Sequence, residues 1–425
     1  MNDHPRPHDP EPSASSLVQP MGRRGWVKSM ATLAGGTAKR SIHILLAVPL
    51  VATLPSCQSN ETASSQAAAN EALVPTVTIP APPGSRGFGM PSGSQTTTDA
   101  PRPRRPSASV TDTEREIVTT TLDDLNMSDP YVYADDATQT YYLTSSGGSI
   151  YTSEDLKNWT GPYGAYDVTG TWMEGINSVA AAEIHHVNDK YYYAATFTDR
   201  DDLVDAVPRR YNVNRHQTMI LVSDRPEGPY RPINPDPEFD LLPHSWTTID
   251  GTIWNENGVS YFVFCHEWLQ TIDGTMEYAE LAPDLSRLVE EPTVIFRASE
   301  APWALEMVGN GEMTYGLKIP GWVTDAPEPF RTQTGRLGML WSSWGAHRYA
   351  QGVAYSESGS IEGPWVQEQE PLKGDNSGHG MMFTTFEGRR LLILHHAEGD
   401  GPRKPQLYEI DDSGDKLVLG ARYNP

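Results

Sequence analysis

One pattern constrains this chain more than any other: a unit of three short strand-like runs that recurs five times between Met127 and Ile410. The openings read MSDPYVY, AAEIHHV, TIDGTIW, VTDAPEP and GHGMMFT. Second runs follow as TYYLTSS, KYYYAAT, SYFVFCH, LGMLWSS and RLLILHH, and third runs as GSIYTS, TMILVS, MEYAEL, GVAYSE and PQLYEI. These runs favour the β-branched and aromatic residues that suit a pleated, half-buried surface, and turn residues separate them. With Asp129, Glu183, Asp250, Asp325 and His379 as phase markers, successive units lie 54, 67, 75 and 54 residues apart. Such units bury their faces only by stacking on one another. The fold class expected is therefore all-β, a five-bladed β-propeller.

In such a fold the first strand of each blade lines the central channel, so the five markers are expected to converge. An isolated aspartate most often caps a turn or accepts backbone N–H bonds. Capping acids need no common register from blade to blade, whereas a site on the axis does. Four acids and one histidine in phase read as a site.

The rest of the chain has a different character. KRSIHILLAVPLVATLPSC, Lys39 to Cys57, has a basic pair, an apolar run too short for a comfortable membrane span, and small residues before the cysteine. Residues 1–57 are read as an export signal of lipoprotein type, because LPSC resembles a bacterial lipobox with Cys57 as the lipidated residue. A start at Met30 gives the signal better proportions. Residues 58–112, rich in Ser, Ala, Pro and Gly, are read as a disordered linker, since they hold too little apolar surface to offset their ordering entropy. Residues 113–425 form the propeller domain. Removing 1–57 takes six of the 32 basic and three of the 55 acidic residues, which leaves a charge of −26. That surface repels nucleic acid and anionic lipid, so no nucleic-acid partner is expected and membrane contact is through the lipid anchor only. Of the two cysteines only Cys265 lies in the domain, which excludes a disulfide within it and a multi-thiolate zinc site.

The ordered set SDPYVY, AAEIHHVNDKYYY, TIDGTIWNENGVSYFVF and SGHGMMFTTFEGRRLLILHH resembles the glycoside hydrolase family 43 propeller from about Leu122 to Leu419. The resemblance implies inverting hydrolysis of arabinofuranosyl or xylosyl linkages in a polysaccharide or oligosaccharide. It implies Asp129 as general base, Asp250 as the acid that tunes and orients its partner, and Asp325 at the position of the general acid. Inversion needs one carboxylate to activate water while a protonated carboxyl group donates to the leaving oxygen. A further negative group nearby raises the donor's pKa. His379 matches a histidine on the family's axis that commonly ligates calcium, partly through waters. A single imidazole is also what a histidine hydrogen-bonded to carboxylates looks like. Glu183 is similar to the glutamate of an Ala-Pro-Glu motif, with Ala182 in place of proline, and is expected to support the site near the axis. Trp172, His266, Glu267, Trp268 and Arg348 are the expected substrate contacts.

The pattern departs from the family at the donor. Where the family has Glu-Gly-Pro, this chain has Asp325-Ala326-Pro327, and an aspartate reaches about 1.5 Å less far than a glutamate. Three readings stay open: Asp325 donates from a shifted backbone, Glu306 or Glu312 donates in its place, or the protein binds sugars without cleaving them. Glu328, three residues on, is expected on the opposite strand face from Asp325. The segment Asp199 to His216 is expected to be a long loop that walls one end of a groove. A retaining fructan-type hydrolase is a further alternative, but it would carry an Arg-Asp-Pro triplet that this sequence lacks.

Overall fold

A computed structural model of the protein describes residues 116–206, 211–308 and 320–425. The signal, the linker and Glu312 lie outside the described residues. Five antiparallel sheets, each laid down strand after strand in chain order, account for nearly all the described structure. Their innermost strands are Tyr131–Asp135, Val179–Val187, Thr248–Glu256, Asp325–Arg331 and Ser377–Thr384. The second strands are Thr140–Thr144, Lys190–Ala206, Val259–His266, Leu337–Gly345 and Arg390–His396. Blade one has a fifth, outermost strand, Val118–Thr120, beside Trp159–Gly164. The expected five-bladed propeller is the observed fold.

Local chemistry explains the hairpins. Asn188-Asp189 and Asn257-Gly258 take positive φ at both central positions (50° and 61°; 53° and 85°), as a two-residue turn matched to strand twist requires. Blade faces are buried against neighbouring blades. Met276, Phe296, Met339, Trp341 and Ala354 fill the seam between blades three and four, and Val132, Leu143, Met381, Leu391 and Ile393 the seam between blades five and one. Among the described residues no strand is shared across that last seam. The ring closes there by side-chain packing and by bonds such as Met127 N–H to Arg403 O (2.9 Å) and Phe386 N–H to Tyr141 Oη (3.0 Å).

Two expectations are corrected. Asp199 to His216 is not a loop: strands Lys190–Ala206 and Tyr211–Ser223 continue through it as a paired arm. Alternation explains this, since Val204, Ala206 and Val213 pack with Trp268, Leu269 and Val323 while their neighbours face water. The second correction concerns register. A bulge shifts the pairing between Ala180 and Glu183, Ile249 and Thr252, Asp325 and Glu328, and Gly378 and Met381. Left-handed residues mark it: Ala181 (φ 45°), Asp250 (55°), Ala326 (55°) and His379 (54°), with Asp129 (57°) in blade one. The structurally equivalent set is therefore Asp129, Ala181, Asp250, Ala326 and His379. Asp325 comes one residue before its equivalent position and Glu183 two after. The extra residue of each bulge also breaks strand alternation, so Glu328 does not face away but lines the axial cavity with Asp129, Glu183 and His379.

Candidate active site

Each left-handed residue presents a backbone N–H that the ladder leaves unpaired, and the preceding blade supplies the acceptor. Ala181 N–H bonds Ser146 Oγ (3.2 Å), Asp250 N–H bonds Thr196 Oγ1 (3.0 Å), His379 N–H bonds Ser342 Oγ (2.8 Å) and Asp129 N–H bonds His395 Nδ1 (3.1 Å). In blade three the equivalent second-strand residue is Cys265, which pairs with Ile249. A thiol is a weak acceptor. There Asp250 Oδ2 accepts the Ala326 N–H instead, at 3.0 Å. A cysteine at one ring position thus leaves Asp250 to fix the backbone next to Asp325. Gly251 is required beside it, because a Cβ there would lie 2.1 Å from the Phe262 ring.

The three aspartates converge on the axis, Asp325 from one residue before the equivalent position. Asp129 Oδ1 lies 3.1 Å from His379 Nδ1 and 3.3 Å from His395 Nδ1, and the Ser146 hydroxyl donates to Oδ2. Asp250 Oδ2 lies 3.9 Å from the same His379 nitrogen. Asp325 Oδ2 accepts the Tyr349 hydroxyl at 2.9 Å. Tyr349 stacks on His395, with ring centroids 5.3 Å apart, and the Arg403 guanidinium lies 5.7 Å from the Tyr349 centroid.

These environments separate the groups by charge. Burial opposes ionisation of Asp129, but His379, His395 and Ser146 outweigh it and hold its carboxyl well below the usual range. Burial pushes His379 down to about 4, so at neutral pH its imidazole is neutral, with Nδ1 3.1 Å from Asp129 Oδ1. Asp325 is raised to about 7, first by burial and then by the Asp129 charge, with the Tyr349 hydroxyl pulling the other way. Asp250 is raised well above the carboxylate range by burial and by Asp325 and Asp129. The site does not hold three negative charges. Its surroundings favour a carboxylate on Asp129 and shift Asp250 and Asp325 toward the protonated form.

The sequence itself matches a known family. The model for glycosyl hydrolases family 43 matches residues 124–411. This chain belongs to that family. Among solved structures it is similar to the endo-arabinase of Bacteroides thetaiotaomicron VPI-5482, at 33% identity and TM-score 0.59, covering 69% of this chain and 98% of that one. An endo-1,4-beta-xylanase from the same organism shares the fold at 21% identity and TM-score 0.53, covering 73% and 99%. A thermostable family-43 glycoside hydrolase does so at 19% and 0.54, covering 72% and 95%. No curated protein matches the sequence.

In this family-43 chain the remaining expected residues fall in different places. Glu183 sits on the axis one layer in from the carboxylates, its Oε2 2.9 Å from His185 Nε2, and burial raises it to about 8. Glu328 shares that layer, is likewise pushed well up by burial and by Glu183, and leaves its Oε2 without a partner. Glu267 is buried against His216 (2.9 Å), and its charge reaches Asp325. His266 bonds Gln270 at 2.8 Å. Trp268 is buried in the packing of the arm. One face of Trp172 is covered by the Arg215 guanidinium at 4.1 Å, and its N–H is taken by Phe239 O at 2.9 Å. Arg348 is tied at the surface to Asp400 (2.6 Å) and Gly399 O (2.7 Å). Glu306 is exposed. Sequence reasoning missed Tyr349, Ser146 and His395. Tyr349 adjoins Arg348, and only strand pairing reveals which of the two turns inward. Among the described residues no group of three or more His, Cys, Asp or Glu side chains is placed to hold a metal ion. The described side chains round His379 do not form a protein-built calcium cage.

Proposed function

We propose that the chain hydrolyses arabinofuranosyl or xylosyl linkages in polysaccharide in a single inverting displacement. The observation that carries this reading is the convergence of Asp129, Asp250 and Asp325 on one propeller axis, in surroundings that hold the Asp129 carboxyl low and raise Asp325 to about 7. Two carboxyl groups pushed apart by their surroundings identify a base and an acid. Asp129 takes a proton from water as the water oxygen bonds to the anomeric carbon. The bond from that carbon to the leaving oxygen breaks, and Asp325 gives that oxygen its proton. The sugar emerges as a hemiacetal of opposite anomeric configuration, with one proton gained by Asp129 and one lost by Asp325.

The other groups hold these two in place. Asp250 positions the backbone beside Asp325 through the Ala326 N–H. Ser146 and His379 flank the Asp129 carboxylate, and His395 holds its backbone by accepting the N–H. The endo-arabinase relative, at 33% identity over 98% of its own length, supports pentose polymers as the substrate class. Export with a lipid anchor at Cys57 belongs to the same proposal, because such polymers are met outside the cell; labelling with a radioactive fatty acid would be lost in Cys57→Ala. Calcium at His379 is proposed only as an ion liganded mainly by water, and a chelator-dependent fall in melting temperature would support it.

The test is hydrolysis of arabinan, xylan and their aryl glycosides by the purified protein. Asp129→Asn is expected to abolish turnover with its melting temperature almost unchanged. Full activity in that variant contradicts the assignment.

A further inference from the structure

The catalytic face carries a second concavity. Innermost and second strands are antiparallel neighbours, so the start of one and the end of the other lie at the same end of a blade. Asp250 stands near such a start and His266 at such an end. At that end, between the blade-two arm and blade three, lies a cleft of about 550 Å³ lined by Leu203, Asp205, His244, Trp246, His266 and Gln270 among others. That volume falls within the range of roughly 300–1,000 Å³ usual for small-molecule sites.

Its walls are fixed by bonds. Trp246 lies nearly parallel to His266, with ring centroids 4.3 Å apart at 17°, so one indole face is anchored. Gln270 joins the two sides: its Nε2 donates to Asp205 O (2.9 Å) and Ser245 O (2.7 Å), while its Oε1 accepts the Thr247 N–H (2.9 Å). Among the described residues no protein group bonds the Trp246 indole N–H or the Asp205 carboxylate. Leu203, 53% exposed, adds apolar surface at the mouth. One residue beside the cleft touches a group near the axis. Thr247, next to Trp246, places its Oγ1 3.1 Å from Glu267 Oε2, and the Glu267 charge is felt by Asp325.

We propose that this cleft is a distal sugar subsite: one pentose unit of the substrate chain, remote from the bond being cleaved, lies against Trp246 with its hydroxyls on Asp205 and the indole N–H. A flat ring, an exposed carboxylate and an acidic protein surface suit an uncharged polyhydroxylated chain and repel anions. The occupant is the same polymer whose scissile bond sits on the axis. The inference therefore rests on the proposed glycosidase activity.

Trp246→Ala and Asp205→Ala test it, with Trp246→Phe to keep the stacking surface if the alanine variant folds poorly. Against arabinan or xylan, kcat/KM should fall about tenfold or more in Trp246→Ala, mostly through KM, while an aryl monoglycoside is hydrolysed within about twofold of the parent rate. Trp246→Phe should recover most of the loss. Equal loss on polymer and aryl glycoside, or no loss on either, overturns the proposal. Direct binding separates this inference from its parent: full-length Asp129→Asn is titrated with arabino- and xylo-oligosaccharides. Binding weakened by Trp246→Ala supports the subsite even if the unaltered protein cleaves none of these substrates, a result that would refute the glycosidase reading alone. Binding indifferent to both substitutions refutes the subsite alone.

Discussion

Removing one hydroxyl, in Tyr349→Phe, should move the pH profile by an amount the structure sets. Tyr349 Oη donates to Asp325 Oδ2 at 2.9 Å, and it favours the ionised form of an acid otherwise raised by burial and by Asp129. A hydrogen bond to a charged group contributes about 1.5–3 kcal/mol, and 1.36 kcal/mol corresponds to one pKa unit. The Asp325 pKa, about 7 in the unaltered protein, should therefore rise by about one to two units. A general acid works only while protonated, so activity is lost as pH rises through its pKa. The alkaline limb of kcat/KM, measured on a substrate with a poor leaving group, should shift toward higher pH by that amount. Phenylalanine keeps the ring that stacks on His395 and lies near Arg403, so the rest of the site stays in place. A limb that does not move, or that moves toward acid, refutes the claim that Asp325 is the donor.

Two further outcomes follow from the same geometry. Asp325→Glu should lower kcat about tenfold or more, because the aspartate already meets Tyr349 and a side chain about 1.5 Å longer misaligns the donor; a gain in kcat would mean the site is built for glutamate. Glu183→Gln should raise the melting temperature at pH 8 but hardly at pH 4.5. Glu183 titrates near 4.5 when unfolded and near 8 when folded, so its contribution to stability is complete below pH 4.5 and falls as pH rises through 8. Glutamine cannot ionise and keeps an amide within hydrogen-bonding reach of His185, so the expected gain is on the order of a few kcal/mol; equal melting temperatures at pH 8 would contradict it.

The blades were legible because their signal is repeated. A single TYYLTSS could be read several ways, but five such runs in the same order cannot. The convergence of Asp129, Asp250 and Asp325 followed from that repeat, and the structure brings all three to the axis. What failed was the parity of single strands. Bulges after Ala180 and Asp325 insert residues whose left-handed φ has no reliable mark in sequence, since alanine occupies the position in both blades. Glu328 was misplaced for that reason. The arm from Asp199 to His216 was hidden by its charges, which fall on the solvent side of a strand pair whose buried side is carried by Val204, Ala206 and Val213. Tyr349 and His395 act through neighbouring blades, and contacts across a seam leave no local pattern.

The central claim is that a carboxylate on Asp129 and a proton on Asp325 act on opposite sides of one bond. The most direct measurement is a proton NMR time course of the sugar first released from an arabinan- or xylan-derived oligosaccharide, taken before mutarotation. The inverted anomer should appear first and equilibrate afterwards. Release of the retained anomer would contradict the account.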